Sequence, residues 1–349
     1  MQGTRGISRR TLAIATAVSA LAGAWPDLLA QTRPEKPRLS LAVGGKATLY
    51  HLPLTISEQL GYFRAEGLDL DIVDFPDGKL ALQSVADGLS DLGAAPYEAT
   101  IKLQARNQAF RAFVMQGRAP QIAFGVSTRW LPDFRVVAQL KGKKIGVSAP
   151  DSSTNLLASL VLARAGIRSG EVTFVGVGTA AGALAALRSG EVEAICNTDP
   201  VMTLLEQRGE VRLISDTRTL KGTLEVFGGP MPAGCLYASA EFIQKNPNTC
   251  QAITHGMVRG LKWLQTAGPR DIIKTVPEAY LLGDRALYLA SFNKIRESIS
   301  LDGMLAEEGA RTALMALTSL DPALKTKNID LSKTFTNDFA RRAKARFQA

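Results

Sequence analysis

Cysteine is scarce in this chain: Cys196, Cys235 and Cys250 make an odd number, and none is spaced as C-x-x-C. That excludes a disulfide framework and the common zinc motifs. Buried free thiols are the default, with a Cys235–Cys250 bridge the one conceivable pairing in an oxidising compartment. Aromatics supply only 6% of residues and are not interleaved with basic ones, so nothing resembles a surface for single-stranded nucleic acid. Histidine occurs twice, as His51 and His255, and neither has the neighbours a metal site needs, so His51 is expected to be structural. No stretch approaches the roughly 20 apolar residues of a bilayer span. No G-x-S-x-G elbow, P-loop, H-E-x-x-H or helix-opening G-x-G-x-x-G occurs; Gly176-x-Gly178 lacks the third glycine, since position 181 is Ala. The absences argue against an enzyme, a resident cofactor and a bound metal.

What is present fits two lobes. The 349 residues exceed one ordinary core, and 46% hydrophobic content describes a globular chain. Part of the +9 net charge comes from Arg5, Arg9 and Arg10, set against Asp27, at the N-terminus. There Ser8-Arg9-Arg10-Thr11-Leu12 precedes a moderately apolar run to Ala24, the order of a twin-arginine export signal. Cleavage is expected after Ala24 or Ala30, within a signal segment 1–30, leaving a periplasmic protein with no lipid anchor. The basic cluster 341–346 reads as a solvated helix end.

From residue 38 the chain alternates strand and helix. Residues 39–43 read as a strand, 54–63 as a helix, 68–73 as a strand with period two, and 79–87 as a helix. Residues 92–94 then read as a buried strand, 97–106 as a helix and 110–115 as a strand. The rhythm restarts with strands at 144–147, 172–175, 194–196 and 212–214 and helices at 154–165 and 180–189. From Cys235 the pattern is mainly helical. Short β-α-β connections predict parallel-dominated sheets flanked by helices, an α/β fold in two blocks with a C-terminal helical segment.

Four segments carry a resemblance. Residues 60–70, LGYFRAEGLDL, resemble a segment of the SsuA/NMT1/THI5-like solute-binding family; residues 85–93, VADGLSDLG, resemble a turn of the same family. Residues 140–147, LKGKKIGV, and 185–195, AALRSGEVEAI, are similar to its later segments, and the likeness runs over residues 38–330. Membership implies a type II-like periplasmic-binding-protein fold. Its first lobe would be 38–124, its second 125–230, and 231–349 would return to the first. Crossings would lie near residues 123–127 and 228–237. It also implies a monomeric receptor for an ABC permease in the inner membrane, binding nitrate, taurine, a sulfonate or a related compound. A sensory receptor with a membrane signalling partner is the alternative. A pyrimidine synthase shares this fold, but its Cys-rich CCCFC segment is absent here.

Ligands of open α/β sheets bind beyond the carboxyl ends of strands, where helix N-termini offer unpaired N–H groups and about half a positive charge. The candidate residues follow from that rule. Ser148, Ser152, Ser153 and Thr154 cluster at one strand end, as ligand donors, as helix caps or as both, although nearby Asp151 would oppose a bare anion. Thr48, Leu49 and Tyr50 follow the first strand. Pro96 and Tyr97 end another, where Tyr97 stacks on a ligand or fills the lobe's edge. Asn197 and Asp199 end a second-lobe strand; Asp199 meets an ammonium or hydroxyl, or caps the helix opened by Pro200. Gly117 and Gly228 flank the crossings. The leading expectation is a small organic anion, sulfonate- or carboxylate-like.

Overall fold

The computed structural model describes residues 33–281 and 283–349. The twin-arginine segment and both cleavage points lie outside the described residues. Strand β1 (Arg38–Gly44) is followed by helices α1 (Leu52–Gln59) and α2 (Tyr62–Ala65), β2 (Asp69–Phe75), α3 (Gly78–Ala86), β3 (Leu92–Pro96), α4 (Glu98–Ala105) and β4 (Phe110–Met115). The helix expected over 54–63 is two helices, because Gly61 adopts φ +69° and breaks the run. In β1, Leu39, Leu41 and Val43 face one apolar cluster and Ala42 faces another, so both sides of the strand are covered.

The chain then builds a second sheet from β5 (Ile122–Ser127), β6 (Lys144–Val147), β7 (Thr173–Gly176), β8 (Ala194–Thr198) and β9 (Val211–Asp216). Helices α5 (Ser153–Arg164), α6 (Ala181–Ser189), α7 (Val201–Gln207) and α8 (Leu220–Phe227) connect them or follow. Residues 123–127, expected to cross between lobes, are instead a fully buried strand of this sheet, so the passage is residues 116–121 and the boundary expected at 124/125 falls inside β5. The return also differs from expectation. Residues from Cys235 do not start a helical region; β10 (Gly234–Ser239) first inserts into the first sheet. Helices α9 (Ala240–Lys245), α10 (Pro247–Thr266), α11 (Pro269–Thr275), α12 (Arg285–Ile295), α13 (Glu307–Leu320), α14 (Pro322–Lys325) and α15 (Asp338–Phe347) complete the chain.

Both sheets are five-stranded, ordered β2-β1-β3-β10-β4 and β7-β6-β8-β5-β9. In each, the second strand pairs in parallel with both neighbours, and one strand that has crossed from the other half runs antiparallel. The fold is a two-lobed α/β structure with the same strand order twice. Helix α13 packs on α4 of one lobe and α5 of the other, and Leu156 of α5 shares an apolar cluster with Ala313 and Leu317. The basic residues of α15 lie on a helix docked against α10, where Arg342 donates to Gln251 and Lys344 pairs with Asp302 at 2.8 Å. Among the described residues, no helix is long and apolar enough to cross a membrane.

Candidate functional site

A cleft of about 570 Å³ opens where the carboxyl ends of strands from both sheets meet. The second-lobe wall is the turn after β6. Its hydroxyls are engaged with one another: Ser148 Oγ lies 2.9 Å from Thr154 Oγ1 and 3.1 Å from Ser152 Oγ, and Ser148 N donates to Thr154 Oγ1 at 2.9 Å. Ser152 Oγ also accepts from Asn155 N and so caps α5. Ser153 is different. Its hydroxyl leaves the turn and donates across the cleft to Glu98 Oε1 at 2.5 Å. Beside it, Lys102 Nζ donates to the Asp151 carbonyl at 3.0 Å.

The first-lobe wall follows from β1 and β3. Thr48 closes its own turn, its hydroxyl donating to the Gly45 carbonyl at 2.9 Å. The Tyr50 ring meets His51 edge-on, with centroids 5.1 Å apart, and sits where any side chain at position 234 would have to be. Burial pushes the Tyr50 phenol well up, and the Glu98 charge adds to the effect, so Tyr50 remains a hydroxyl donor. His51, 4% exposed, is lowered by burial to about 4, against a partial counter-effect of its bond to the Gly44 backbone; it is a neutral ring at pH 7. Thr198 at the end of β8 lines the cleft, and its Oγ1 is buried without a hydrogen-bond partner among the described residues.

A family model described as NMT1/THI5 like matches residues 48–269, which hold every strand but β1 and most of the cleft lining. The chain belongs to the NMT1/THI5-like family. A solved protein of Bordetella bronchiseptica RB50 is 50% identical, with TM-score 0.86 over 90% of this chain and 99% of that one. The alkanesulfonate-binding protein SsuA of Xanthomonas axonopodis pv. citri, solved bound to MOPS, is 21% identical, with TM-score 0.67 over 86% and 98% of the two chains. The periplasmic nitrate-binding protein NrtA of Synechocystis PCC 6803 is 13% identical, with TM-score 0.66 over 90% of each. At those lower identities the likeness concerns the fold.

In this NMT1/THI5-like chain Thr48, Tyr50, Pro96, Ser148, Ser152, Ser153 and Thr154 all line the cleft. The remaining expected residues do not, each for a visible reason. Leu49 faces inward to an apolar cluster with Leu261 and Phe292. Tyr97 is wholly buried, its hydroxyl 2.6 Å from Thr334 Oγ1, so it fills the lobe. Gly117 belongs to the passage between sheets, where its N–H donates to the Gly234 carbonyl. Asn197 donates to the Gly178 carbonyl at 2.8 Å and thereby braces the wall from behind. Asp199 turns into the second lobe, where Arg218 lies 3.4 Å away and Thr203 N donates to it at 2.8 Å. Gly228, at φ +74°, is the left-handed cap of α8.

The cleft also contains residues that strand-end reasoning passed over, chiefly Glu98, Lys102 and Thr198. An acid in the first turn of a helix is the ordinary complement to the dipole, so Glu98 carries no distinguishing signal in sequence. Trp130 lies outside the cleft and donates its indole N–H to the Leu187 carbonyl at 2.8 Å. All three cysteines are free and buried; burial pushes the Cys250 thiol up to about 12.

Proposed function

We propose that this protein is the extracytoplasmic receptor of an ABC importer, capturing one small organic molecule between its lobes without turnover and presenting the closed form to a permease. The carrying observation is the cleft, walled by strand ends of two separate sheets and bridged at its mouth by Ser153–Glu98 and Lys102–Asp151. A ligand touching both walls adds contacts that exist only when the lobes meet, so it shifts the population toward closure. The names of the sulfonate- and nitrate-binding relatives support this reading, as does the export-type N-terminus, which would be removed to leave a monomer in the periplasm. The lobes that move would be the halves joined at residues 116–121 and 228–233. Of the features favouring an anion, the cleft retains the N-terminus of α5 and cations such as Lys79 and Lys102, while its first-lobe wall holds the buried Glu98.

Thermal-shift measurements against sulfonates, carboxylates, nitrate, amines and pyrimidines test the proposal. At least one class should raise the melting temperature, with micromolar affinity, about −8 kcal/mol. A flat response across all five would remove small-molecule capture.

A further inference from the structure

The chain contains two buried carboxylates that follow topologically equivalent strands, β3 and β8, and it treats them oppositely. Asp199, after β8, has the guanidinium of Arg218 beside it, itself 1% exposed and also held by Asp216 and Glu206. Glu98, after β3, is 3% exposed, and no lysine, arginine or histidine pairs with it among the described residues. Its Oε1 accepts the Ser153 hydroxyl; its Oε2 accepts nothing from the described residues, and the side chain lines the cleft. A carboxylate removed from water and left without a cation is strongly unfavourable, and the protein supplies the cation where no ligand can reach. Where a ligand can reach, the partner is missing.

We infer that the captured molecule carries a cationic, N–H-donating nitrogen head, a protonated amine or an amidinium, seated on the Glu98 carboxylate. The inference rests on the capture reading and replaces the anionic head expected from the sequence. Lys79, Lys102 and Arg106 line the same cleft, but Lys102 is engaged with the Asp151 carbonyl and none of the three pairs with Glu98 among the described residues. Other surroundings agree. Thr198 Oγ1, on the opposite wall and unpartnered, offers a further polar contact to such a head, and Tyr50 with Ala95 and Pro96 offers apolar surface for an organic body. The hydroxyls of Ser148, Ser152 and Thr154, which an anion would recruit, are spent on one another and on the α5 cap. A sulfonate in the same cleft would share it with the Glu98 carboxylate.

Matched skeletons separate the alternatives: benzylamine and butylamine against phenylmethanesulfonate and butanesulfonate, by thermal shift and titration calorimetry on the full mature chain. The amines should bind at least tenfold tighter than their sulfonate counterparts. Glu98→Gln, which keeps the shape and the bond to Ser153, should lower amine affinity tenfold or more, and Thr198→Val about threefold. The wild-type comparison stands even if a variant folds poorly. Sulfonates binding tighter than amines, or amine affinity within twofold of wild type in a folded Glu98→Gln, overturns the assignment. Anions of the wider panel raising the melting temperature while amines do not removes the head-group assignment and leaves capture intact. No response to any compound removes both.

Discussion

The two lobes repeat one strand order but settle their buried charge differently. In the second lobe Arg218 gathers Asp199, Asp216 and Glu206 into one knot, and Lys294 of α12 joins it through Glu206 at 2.6 Å. In the first lobe Glu98 keeps a free oxygen in the cleft. Burial holds the Asp199 carboxyl above its usual range even though Arg218 pulls the other way, which marks how expensive that position is. A shared topology therefore does not imply shared chemistry. The carboxylate after β8 is paired with a buried cation, and Glu66 of the first lobe is paired with His255 and Arg346, whereas the carboxylate after β3 has no such partner among the described residues. The sharpest way to break this comparison is to remove each side's partner. Arg218→Met leaves a buried carboxylate uncompensated and should cost about 3–5 kcal/mol in urea denaturation. Glu98→Gln relieves a charge that has no partner, so ligand-free stability should stay level or rise. Equal losses for both would show that Glu98 is as structural as Asp199.

A second contrast is titration. Both histidines, His51 and His255, pack with the first lobe's elements, and the second sheet has none. His51 is neutral in the fold, lowered to about 4, whereas in the unfolded chain it titrates near 6.5. Protonation therefore favours the unfolded state: the contribution of neutral His51 is complete above pH 6.5, declines as the pH falls, and is spent near pH 4. The shift corresponds to about 3 kcal/mol. Melting temperature against pH should fall across that window in the wild type, and His51→Gln should flatten the fall. An acid limb unchanged in the variant would place the sensitivity elsewhere.

The repeated β-α-β blocks were legible because period-two strands and 3.6-period helices alternate with short connections, as residues 68–73 and 79–87 illustrate. Strand β5 was not, because Ile122–Ser127 is buried along its whole length and has no alternation to read. Strand β10 was hidden by its opening glycine and the prolines before it, which read as a connection. Strand ends located the cleft, and seven of the named residues line it. Direction within those ends was not legible. Whether Asp199 faces solvent or core depends on Arg218, 19 residues further along, and whether Ser153 caps or bridges depends on Glu98, 55 residues back.

The smallest expected effect concerns what holds the lobes together. Two kinds of contact join the lobes: hydrogen bonds at the cleft, from Ser153 to Glu98 and, more exposed, from Lys102 to the Asp151 carbonyl, and away from it the buried apolar seating of Leu156 among Ala313 and Leu317. An exposed bond to a long flexible side chain contributes about 0–1 kcal/mol, whereas truncating a buried leucine costs about 2–5 kcal/mol. Lys102→Ala should then leave the ligand-free radius of gyration in solution scattering unchanged, and Leu156→Ala should enlarge it. An expansion on Lys102→Ala alone would mean that the charged contact at the cleft, and not the packing of α5 on α13, holds the lobes together.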